Sequence, residues 1–344
     1  MSVAALAVED TGRVVTTIKP LHSLVSAVMA GVGTPHLMIQ GSVSPHGFSL
    51  RPSDAVVLEG ADLVFMIDES FETSLVKPVH VLASSARVVL LSDAEGLTLK
   101  PRREGGTFEE HGHADSGHHE DEERHEEDEH KGDHDHRAHG HGEHHEGKGH
   151  HEEDEHRGDH DHHAREHGAY DMHIWLDPEN AAAMVRMIAD VLTEFDPAHG
   201  KTYAANADRL LHRLQILTAD ITQEMKPLRD KSFIVLHDAY QYFENRFGLS
   251  ATGSVMVDDA EPPSAKRIQK LRNKVRELGA VCVFAEPQFN SRLVDVVIEN
   301  TPVRTGILDP LGATIESGPE AYFTLIRDMA SSFADCLGSA NQRS

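Results

Sequence analysis

The chain has 344 residues and a formal net charge of −25 at pH 7, with 57 acidic against 32 basic side chains. Binding to nucleic acid or to an anionic membrane requires a net basic surface, so this charge disfavours both partners. No apolar run approaches the ~20 residues that a membrane-spanning helix needs.

The first 12 residues are interpreted as the remnant of an export leader. The stretch from Met1 to Ala7 is too short for a complete signal peptide, yet Ala5-Leu6-Ala7 fits the small-x-small end of one. Cleavage would then fall before Val8. An ordinary N-terminal segment without any leader is the alternative.

From residue 13 onward, short β-branched runs alternate with helical stretches. Strands are predicted at 14–18, 37–39, 63–67 and 88–91, and helices at 21–30, 52–59 and 74–82. This order is typical of a mostly parallel sheet covered by helices. We therefore predict a first α/β lobe formed by residues 13–103 together with 170–197.

Residues 104–169 interrupt the alternation with a segment that lacks the side chains to form a core. These 66 residues contain 19 of the 27 histidines, 23 Asp and Glu, and 6 Lys and Arg. Of the total charge of −25, −17 falls in this segment and −8 on the other 278 residues. The stretch 125–136 recurs at 151–162 with only Lys131 changed, to Arg157. The segment is predicted to be a disordered loop that has been lengthened by duplication.

The histidines of this loop are predicted to bind metal weakly. Most imidazoles are neutral at pH 7, and neutral imidazole coordinates zinc, copper and nickel. The auxiliary ligands that we single out are His134, His136, His160 and His162. Collecting or sensing metal is the predicted role, and buffering of excess metal or a merely solubilising acidic loop are the alternatives.

The second half of the chain contains one long helix and another alternating region. Asp177-Pro178 favours a helix start that continues to about residue 194. From 198 to 225, apolar residues recur three and four apart without Gly or Pro after the first turn, which predicts a helix of roughly 40 Å. The next strands are predicted at 233–236, 281–285 and 305–308, and the helices at 239–247, 264–278, 293–299 and 319–336.

The predicted fold class is therefore α/β, with two lobes of mostly parallel sheet and a ligand cleft between them. Residues 231–344 form the second lobe, and one long rigid helix within residues 198–230 links it to the first. The only two cysteines, Cys282 and Cys336, lie on a predicted strand and near the end of the last helix. They form either a disulfide, worth roughly 4 kcal/mol for a loop of this length, or two buried thiols.

Three histidines outside the loop occupy places where α/β proteins bind ligands. His46 and His237 follow predicted strands, and His173 lies one turn before the helix that begins at Asp177-Pro178. Asp309 ends the strand at 305–308 in the same way. Ligands of open α/β sheets gather outside the carboxyl ends of the strands, so three imidazoles and a carboxylate from two lobes would make a tetrahedral zinc site.

Each of these side chains also has a structural interpretation. A single histidine at a strand end is often a hydrogen-bonded or surface residue, and Pro310 favours a turn-forming role for Asp309. The remaining histidines show no comparable context and are assigned to the core or the surface: His22, His36, His80, His199 and His212.

Five longer motifs resemble the zinc-binding subunits of ABC importers, the ZnuA-like members of the cluster A-I metal-binding family. They are SPHGFSLRPSD at 44–54, HIWLDP at 173–178, HDAY at 237–240, FAEPQF at 284–289 and LDPLG at 308–312. They follow the family's order, and the resemblance covers all but about the first dozen residues. The family also has an acidic, His-rich insertion just before the second histidine motif, where this chain has its loop.

The resemblance implies two α/β lobes bridged by a long helix, with one metal ion between the lobes. His46, His173 and His237 match the three histidine ligands of the family. Manganese-type relatives have a carboxylate at the third position, so a third histidine favours zinc. Some members carry a metal-reaching Glu where this chain has Pro45, which leaves Asp309 or water as the fourth ligand.

Two further features follow from the resemblance. Glu286 is a second carboxylate near the predicted metal, with a structural salt bridge as the alternative role. Cys282 and Cys336 match the cysteine pair of the zinc branch, which favours the disulfide and a periplasmic location.

The function implied is a high-affinity receptor that captures Zn²⁺ in the periplasm and delivers it to the permease of an ABC importer. The expected partners are this permease and a periplasmic metallochaperone, and the expected state is a monomer. A zinc chaperone, a buffer or an adhesin without transport is the alternative. A zinc hydrolase is a more distant one, because three histidines can also present catalytic zinc, but no His-Glu-x-x-His helix is present.

Overall fold

A computed structural model describes residues 13–103, 168–256, 264–277, 280–290 and 292–338. The predicted leader and nearly all of the predicted metal-binding loop, with His134, His136, His160 and His162, lie outside these ranges. Both of the larger sheets belong to one compact unit, residues 1–109 and 165–344.

The first sheet contains four parallel strands in the order β2-β1-β3-β4. The strands are β1 (Val14–Thr16), β2 (His36–Leu37), β3 (Leu63–Met66) and β4 (Arg87–Leu90). The connecting helices are α1 (Lys19–Val28), α2 (Pro52–Glu59) and α3 (Thr73–Leu82). All residues of β1 and β3 are buried, as expected for the central strands of a sheet with helices on both faces.

A short antiparallel pair of strands, β5 (Lys100–Pro101) and β6 (Tyr170–Asp171), was not predicted. The backbone N–H of Arg102 also donates to the carbonyl of Ala169 at 3.0 Å. The chain therefore leaves and re-enters the first lobe at adjacent points, with residues 104–167 inserted between them.

Helices α4 (Pro178–Phe195) and α5 (Gly200–Met225) follow. The Asp177 carboxylate caps α4 by accepting the N–H of Glu179 at 2.9 Å, which confirms the predicted helix start. Short 3-10 turns on either side extend α5 to a helical run of 32 residues. Its apolar face packs against α1 and α4 of the first lobe and α9 (Ala321–Gly338) of the second, so the predicted long helix is confirmed.

The second sheet is also parallel, in the order β10-β9-β7-β8. Its strands are β7 (Phe233–Val235), β8 (Ala251–Ser254), β9 (Cys282–Ala285) and β10 (Arg304–Ile307). Its first helices are α6 (Gln241–Phe247), α7 (Ala265–Glu277) and α8 (Arg292–Ile298). The prediction of two α/β units with mostly parallel sheets is confirmed, and β8 is an addition to it.

One hydrophobic core runs through both lobes. It extends from the first sheet through α4 and α5 to one face of the second sheet, where the rings of Phe233, Phe284 and Phe333 are in contact. The other face of the second sheet forms a smaller core with α7 and α8. The two lobes therefore pack against each other through a shared core.

Glu72 is a buried carboxyl group between β1 and β3, where the strand order of the first sheet changes direction. One oxygen accepts the N–H groups of Ile67 at 2.9 Å and Asp68 at 3.1 Å, and the other accepts the hydroxyl of Thr17. Burial outweighs these hydrogen bonds and raises the pKa of Glu72 from 4.5 to about 7.

We expect Glu72→Gln to stabilise the protein at pH 8 and to be nearly neutral at pH 5. Between pH 4.5 and about 7, the folded state retains a proton that the unfolded state has released. The free energy of unfolding therefore decreases as pH rises through this window, by about 3 kcal/mol at most, and then stays level. Urea unfolding at both pH values measures the effect, with the exposed Glu95→Gln as control. Parallel pH profiles for the two variants would contradict this explanation.

Candidate metal centre

Three imidazoles meet at the carboxyl ends of the two sheets. His46 lies in a 3-10 turn (Pro45–Gly47) between β2 and α2, His173 follows β6, and His237 follows β7. One nitrogen from each ring lies within 4.8 Å of the other two. Among the described residues, no other group of three or more histidine, cysteine or acidic side chains comes this close.

The spacing of two of these rings matches that required by zinc. The Nε2 atoms of His173 and His237 are 3.4 Å apart. Two nitrogens bound to a tetrahedral zinc at about 2.05 Å would be about 3.3 Å apart. Both rings are buried, whereas His46 is half-buried. The structure therefore brings together the three histidines predicted as ligands.

Each of the two buried histidines is held by a carboxylate on the opposite side of its ring. His173 Nδ1 lies 2.7 Å from Asp171 Oδ1, and His237 Nδ1 lies 2.6 Å from Glu286 Oε1. Because a carboxylate accepts, each Nδ1 carries the proton, and each Nε2 presents its lone pair to a metal. Asp171 is itself fixed by Gln241, which donates to Oδ2 at 2.8 Å. Sequence reasoning missed Asp171.

The His173 ring is held in its neutral form. Burial lowers its pKa below 6.5, and the nearby rings of His237 and His46 lower it further, while Asp171 acts in the opposite direction. Burial alone would raise the pKa of Asp171, but its interactions with His173 lower it. For this buried pair we take the neutral imidazole as the dominant form, because two other imidazoles adjoin it. A neutral ring can coordinate metal without first losing a proton.

Glu286 lies beside the three imidazoles and contacts one of them, His237. It is 3 % exposed and occupies the loop after β9, next to the loop after β7 that carries His237. Its bond to Nδ1 places it on the far side of the ring from Nε2. Glu286 therefore orients His237 through Oε1, and the group of three converging histidines does not include it. Its pairing with His237 corresponds to the structural role considered from the sequence.

Asp309 lies in the turn after β10, where its carboxylate holds the backbone. Its oxygens accept the N–H groups of Leu311 at 3.1 Å, Gly312 at 2.9 Å and Ala313 at 2.5 Å, and the side-chain amide of Gln288 at 2.7 Å. The three-histidine group does not include Asp309. The turn-forming role considered for Asp309 is present, and its role as a fourth ligand stays a prediction.

Lys19 of α1, in the first lobe, donates hydrogen bonds to the same turn. Its ammonium donates to the carbonyls of Gly312 at 2.5 Å, Ala313 at 3.2 Å and Ile315 at 2.6 Å. The indole N–H of Trp175 donates to Pro310 O at 2.8 Å. Polar contacts from the first lobe thus hold this second-lobe turn against the site.

The three imidazoles line a cavity whose empty volume is about 250 Å³, its opening to solvent included. Its walls are Ser44, Pro45, His46, Phe71, His173, His237, Glu286, Gln288, Phe289, Pro310 and Leu311. Phe71 was also missed from the sequence, because nothing in its local pattern separates it from an ordinary core phenylalanine.

Comparison with known proteins gives the family. The sequence model of the zinc-uptake complex component A, periplasmic, called ZnuA, matches residues 14–336. The chain belongs to the ZnuA family. Its members are solute-binding receptors for transport and serve as the periplasmic zinc-binding component of a zinc uptake system. They are not enzymes, so the zinc hydrolase considered as a distant alternative is rejected.

Curated relatives match over nearly their whole length. The high-affinity zinc uptake system protein ZnuA of Brucella abortus (strain 2308) is 50% identical over 334 residues, which are 97% of this chain and 94% of that protein. The protein of the same name from Paracoccus denitrificans (strain Pd 1222) is 39% identical over 331 residues, which are 96% and 93% of the two chains.

Solved structures show that the fold is shared more widely. A crystal structure of ZnuA has a TM-score of 0.69 at 18% identity and covers 95% of this chain and 99% of its own. The binding protein FpvC of Pseudomonas aeruginosa, in complex with Mn²⁺, has a TM-score of 0.70 at 17% identity and covers 96% and 100%. None of the helices in the described ranges combines the length and apolarity that crossing a membrane requires.

Proposed function

We propose that this chain is the high-affinity zinc receptor of an ABC importer, which binds Zn²⁺ through His46, His173 and His237 and delivers it to the membrane permease. The observation that carries the proposal is the convergence of three imidazole nitrogens within 4.8 Å. Two of these rings come from the first lobe and one comes from the second. Three nitrogen donors suit zinc, whereas manganese prefers oxygen.

The fourth coordination position of zinc is assigned to a water molecule, as long as Asp309 keeps its hydrogen bonds in the turn after β10. Asp309 is not part of the group of converging histidines, and its carboxylate accepts three backbone N–H groups and the Gln288 amide, so these bonds would compete with metal binding. A water ligand also leaves the ion exchangeable, which a delivery protein needs. Movement of His237 away from the first lobe would remove one ligand and lower the affinity on docking.

The His-rich segment is proposed to collect or sense zinc near this site. This proposal is supported by the composition of the segment, which has 19 histidines in 66 residues. Its two ends are held side by side by β5 and β6, and β6 carries Asp171, which orients His173. The strand that follows the segment, β6, thus ends two residues before a proposed ligand, His173.

A chelator-competition titration with zinc and manganese tests this proposal. We expect one tight zinc site and much weaker manganese binding, both in the full chain and after deletion of residues 104–167. A short Gly-Ser linker would join Arg103 to Gly168, because Arg102 and Ala169 already pair across the gap. Zinc affinity should fall steeply below about pH 6, where imidazoles become protonated. Loss of the tight site on deletion would make the segment itself the receptor.

Delivery needs a separate measurement. The zinc-loaded protein should copurify with its ABC permease and stimulate ATP hydrolysis by the reconstituted importer. Tight zinc binding without any permease association would instead support the chaperone or adhesin alternative.

A further inference from the structure

Two phenylalanine rings flank the three imidazoles, one from each lobe. Phe71, in the loop between β3 and α3, is 1% exposed. Its ring centroid lies 4.7 Å from that of His46 and 5.2 Å from that of His173, with edge-to-face geometry in both pairs. Phe289 follows β9 and lies 5.4 Å from His237. Both rings line the cavity.

The Phe71 ring is held firmly by its surroundings. Its backbone N–H donates to Asp68 O at 3.1 Å, and the neighbouring Glu72 carboxylate is buried and accepts two backbone N–H groups. Asp68 is in turn fixed by the hydroxyls of Ser70 at 2.6 Å and Ser92 at 2.7 Å. Trp175 also contacts the ring edge-to-face, with the centroids 5.2 Å apart. The backbone on which the ring sits is thus fixed, and turning the ring aside would break its contacts with His46, His173 and Trp175.

A fixed aromatic ring beside the site affects the binding of a metal ion according to the number of ligands that the ion requires. Three imidazoles and one water complete the coordination of a tetrahedral zinc ion. An octahedral ion such as Mn²⁺ needs three ligands besides the imidazoles, two more than zinc. Additional bound waters need both space and hydrogen-bond partners. The side of the site formed by His46 and His173 offers a hydrocarbon ring instead.

From this geometry we infer that Phe71 is a specificity-determining residue. Its ring excludes water from additional coordination positions, and so it favours four-coordinate zinc over ions that require six ligands. This inference rests on the three-histidine site proposed above, and it adds the residue that sets the coordination number.

The test compares Phe71→Ala with the unchanged full chain, using Co²⁺ as a spectroscopic probe alongside zinc and manganese. Four-coordinate Co²⁺ absorbs strongly in the visible range, and six-coordinate Co²⁺ absorbs weakly. We expect Phe71→Ala to weaken the visible bands and to lower the ratio of zinc to manganese affinity by about tenfold, a change of about 1.4 kcal/mol. Phe71→Leu, which restores apolar bulk, should recover most of both.

Phe65→Ala is the matched control, because Phe65 is a buried phenylalanine of the same lobe that does not line the cavity. It should leave the affinity ratio and the cobalt spectrum unchanged. If Phe71→Ala does not fold, Phe71→Val should show the same changes to a smaller extent. The inference is overturned if zinc and manganese lose affinity by equal factors while the cobalt spectrum stays four-coordinate, because Phe71 would then only orient the imidazoles. Failure of the three-histidine proposal would be visible separately, as a cobalt spectrum that His237→Ala does not alter.

Discussion

His237→Ala is expected to weaken zinc binding by roughly a thousandfold. Structural zinc sites bind with apparent free energies of about 10–16 kcal/mol, so each of three histidine ligands contributes about 4 kcal/mol, and 1.4 kcal/mol corresponds to a factor of ten. The change also leaves Glu286 buried without the ring it now contacts at 2.6 Å, which should lower the stability of the metal-free protein. Chelator competition on the chain that lacks residues 104–167 measures the effect without interference from weak sites.

Two control variants distinguish the loss of a zinc ligand from other causes of weaker zinc binding. Glu286→Gln keeps the ligand but weakens its orientation, and changes of this kind typically lower metal affinity by about 10–100-fold. His212→Ala removes an exposed imidazole of α5 and should leave the affinity unchanged. If His237→Ala bound zinc within a factor of a few of the unchanged chain, His237 would not be a ligand. An equal loss for Glu286→Gln and His237→Ala would instead indicate collapse of the whole site.

The elements that were predicted well from the sequence are those specified by their own residues. Helix α5 has apolar side chains three and four apart along its length, and α4 begins at an Asp-Pro pair whose carboxylate caps it. Strand β3 is a run of large apolar residues. Periodicity and capping are local properties, so they survive in a single sequence.

The elements that were missed depend on distant partners. Strand β8 reads Ala-Thr-Gly-Ser and has no large apolar side chain, and it is a strand because it pairs with β7. Lys100 pairs with Asp171 across the whole inserted segment. Neither pairing leaves a pattern in the surrounding residues.

The candidate site shows the same division. The three histidines follow strands or precede a helix, and this placement was evident in the sequence. The orientation of the rings was not, since Asp171 and Glu286 reach them through the folded structure. For Asp309, the adjacent Pro310 already suggested a turn, and the carboxylate does accept three N–H groups of that turn. Chain position indicated which residues approach the site, while packing determines what each one does there.

The Cys282–Cys336 disulfide is expected to stabilise the folded chain by about 4 kcal/mol. The predicted pair is present and joins β9 to α9 across a sequence separation of 54 residues. A crosslink of this span lowers the entropy of the unfolded chain by about that amount at 25 °C. The double variant Cys282→Ala/Cys336→Ala should therefore unfold at a lower urea concentration, and a reducing agent should shift the unchanged chain to the same degree while leaving the variant unaffected.

Zinc affinity should change far less than stability in this double variant. Cys282 begins β9, four residues before Glu286, but the imidazoles are oriented by Asp171 and Glu286 and not by the sulfur atoms. At zinc concentrations that saturate the site, bound metal adds stability by mass action and should raise the unfolding midpoints of both forms similarly. A reductant that left the midpoint of the unchanged chain where it was would show that the core shared by the two lobes is sufficient without the crosslink. A large loss of zinc affinity on reduction would instead show that the disulfide holds the Glu286 end of β9 in place, and would couple metal capture to an oxidising compartment.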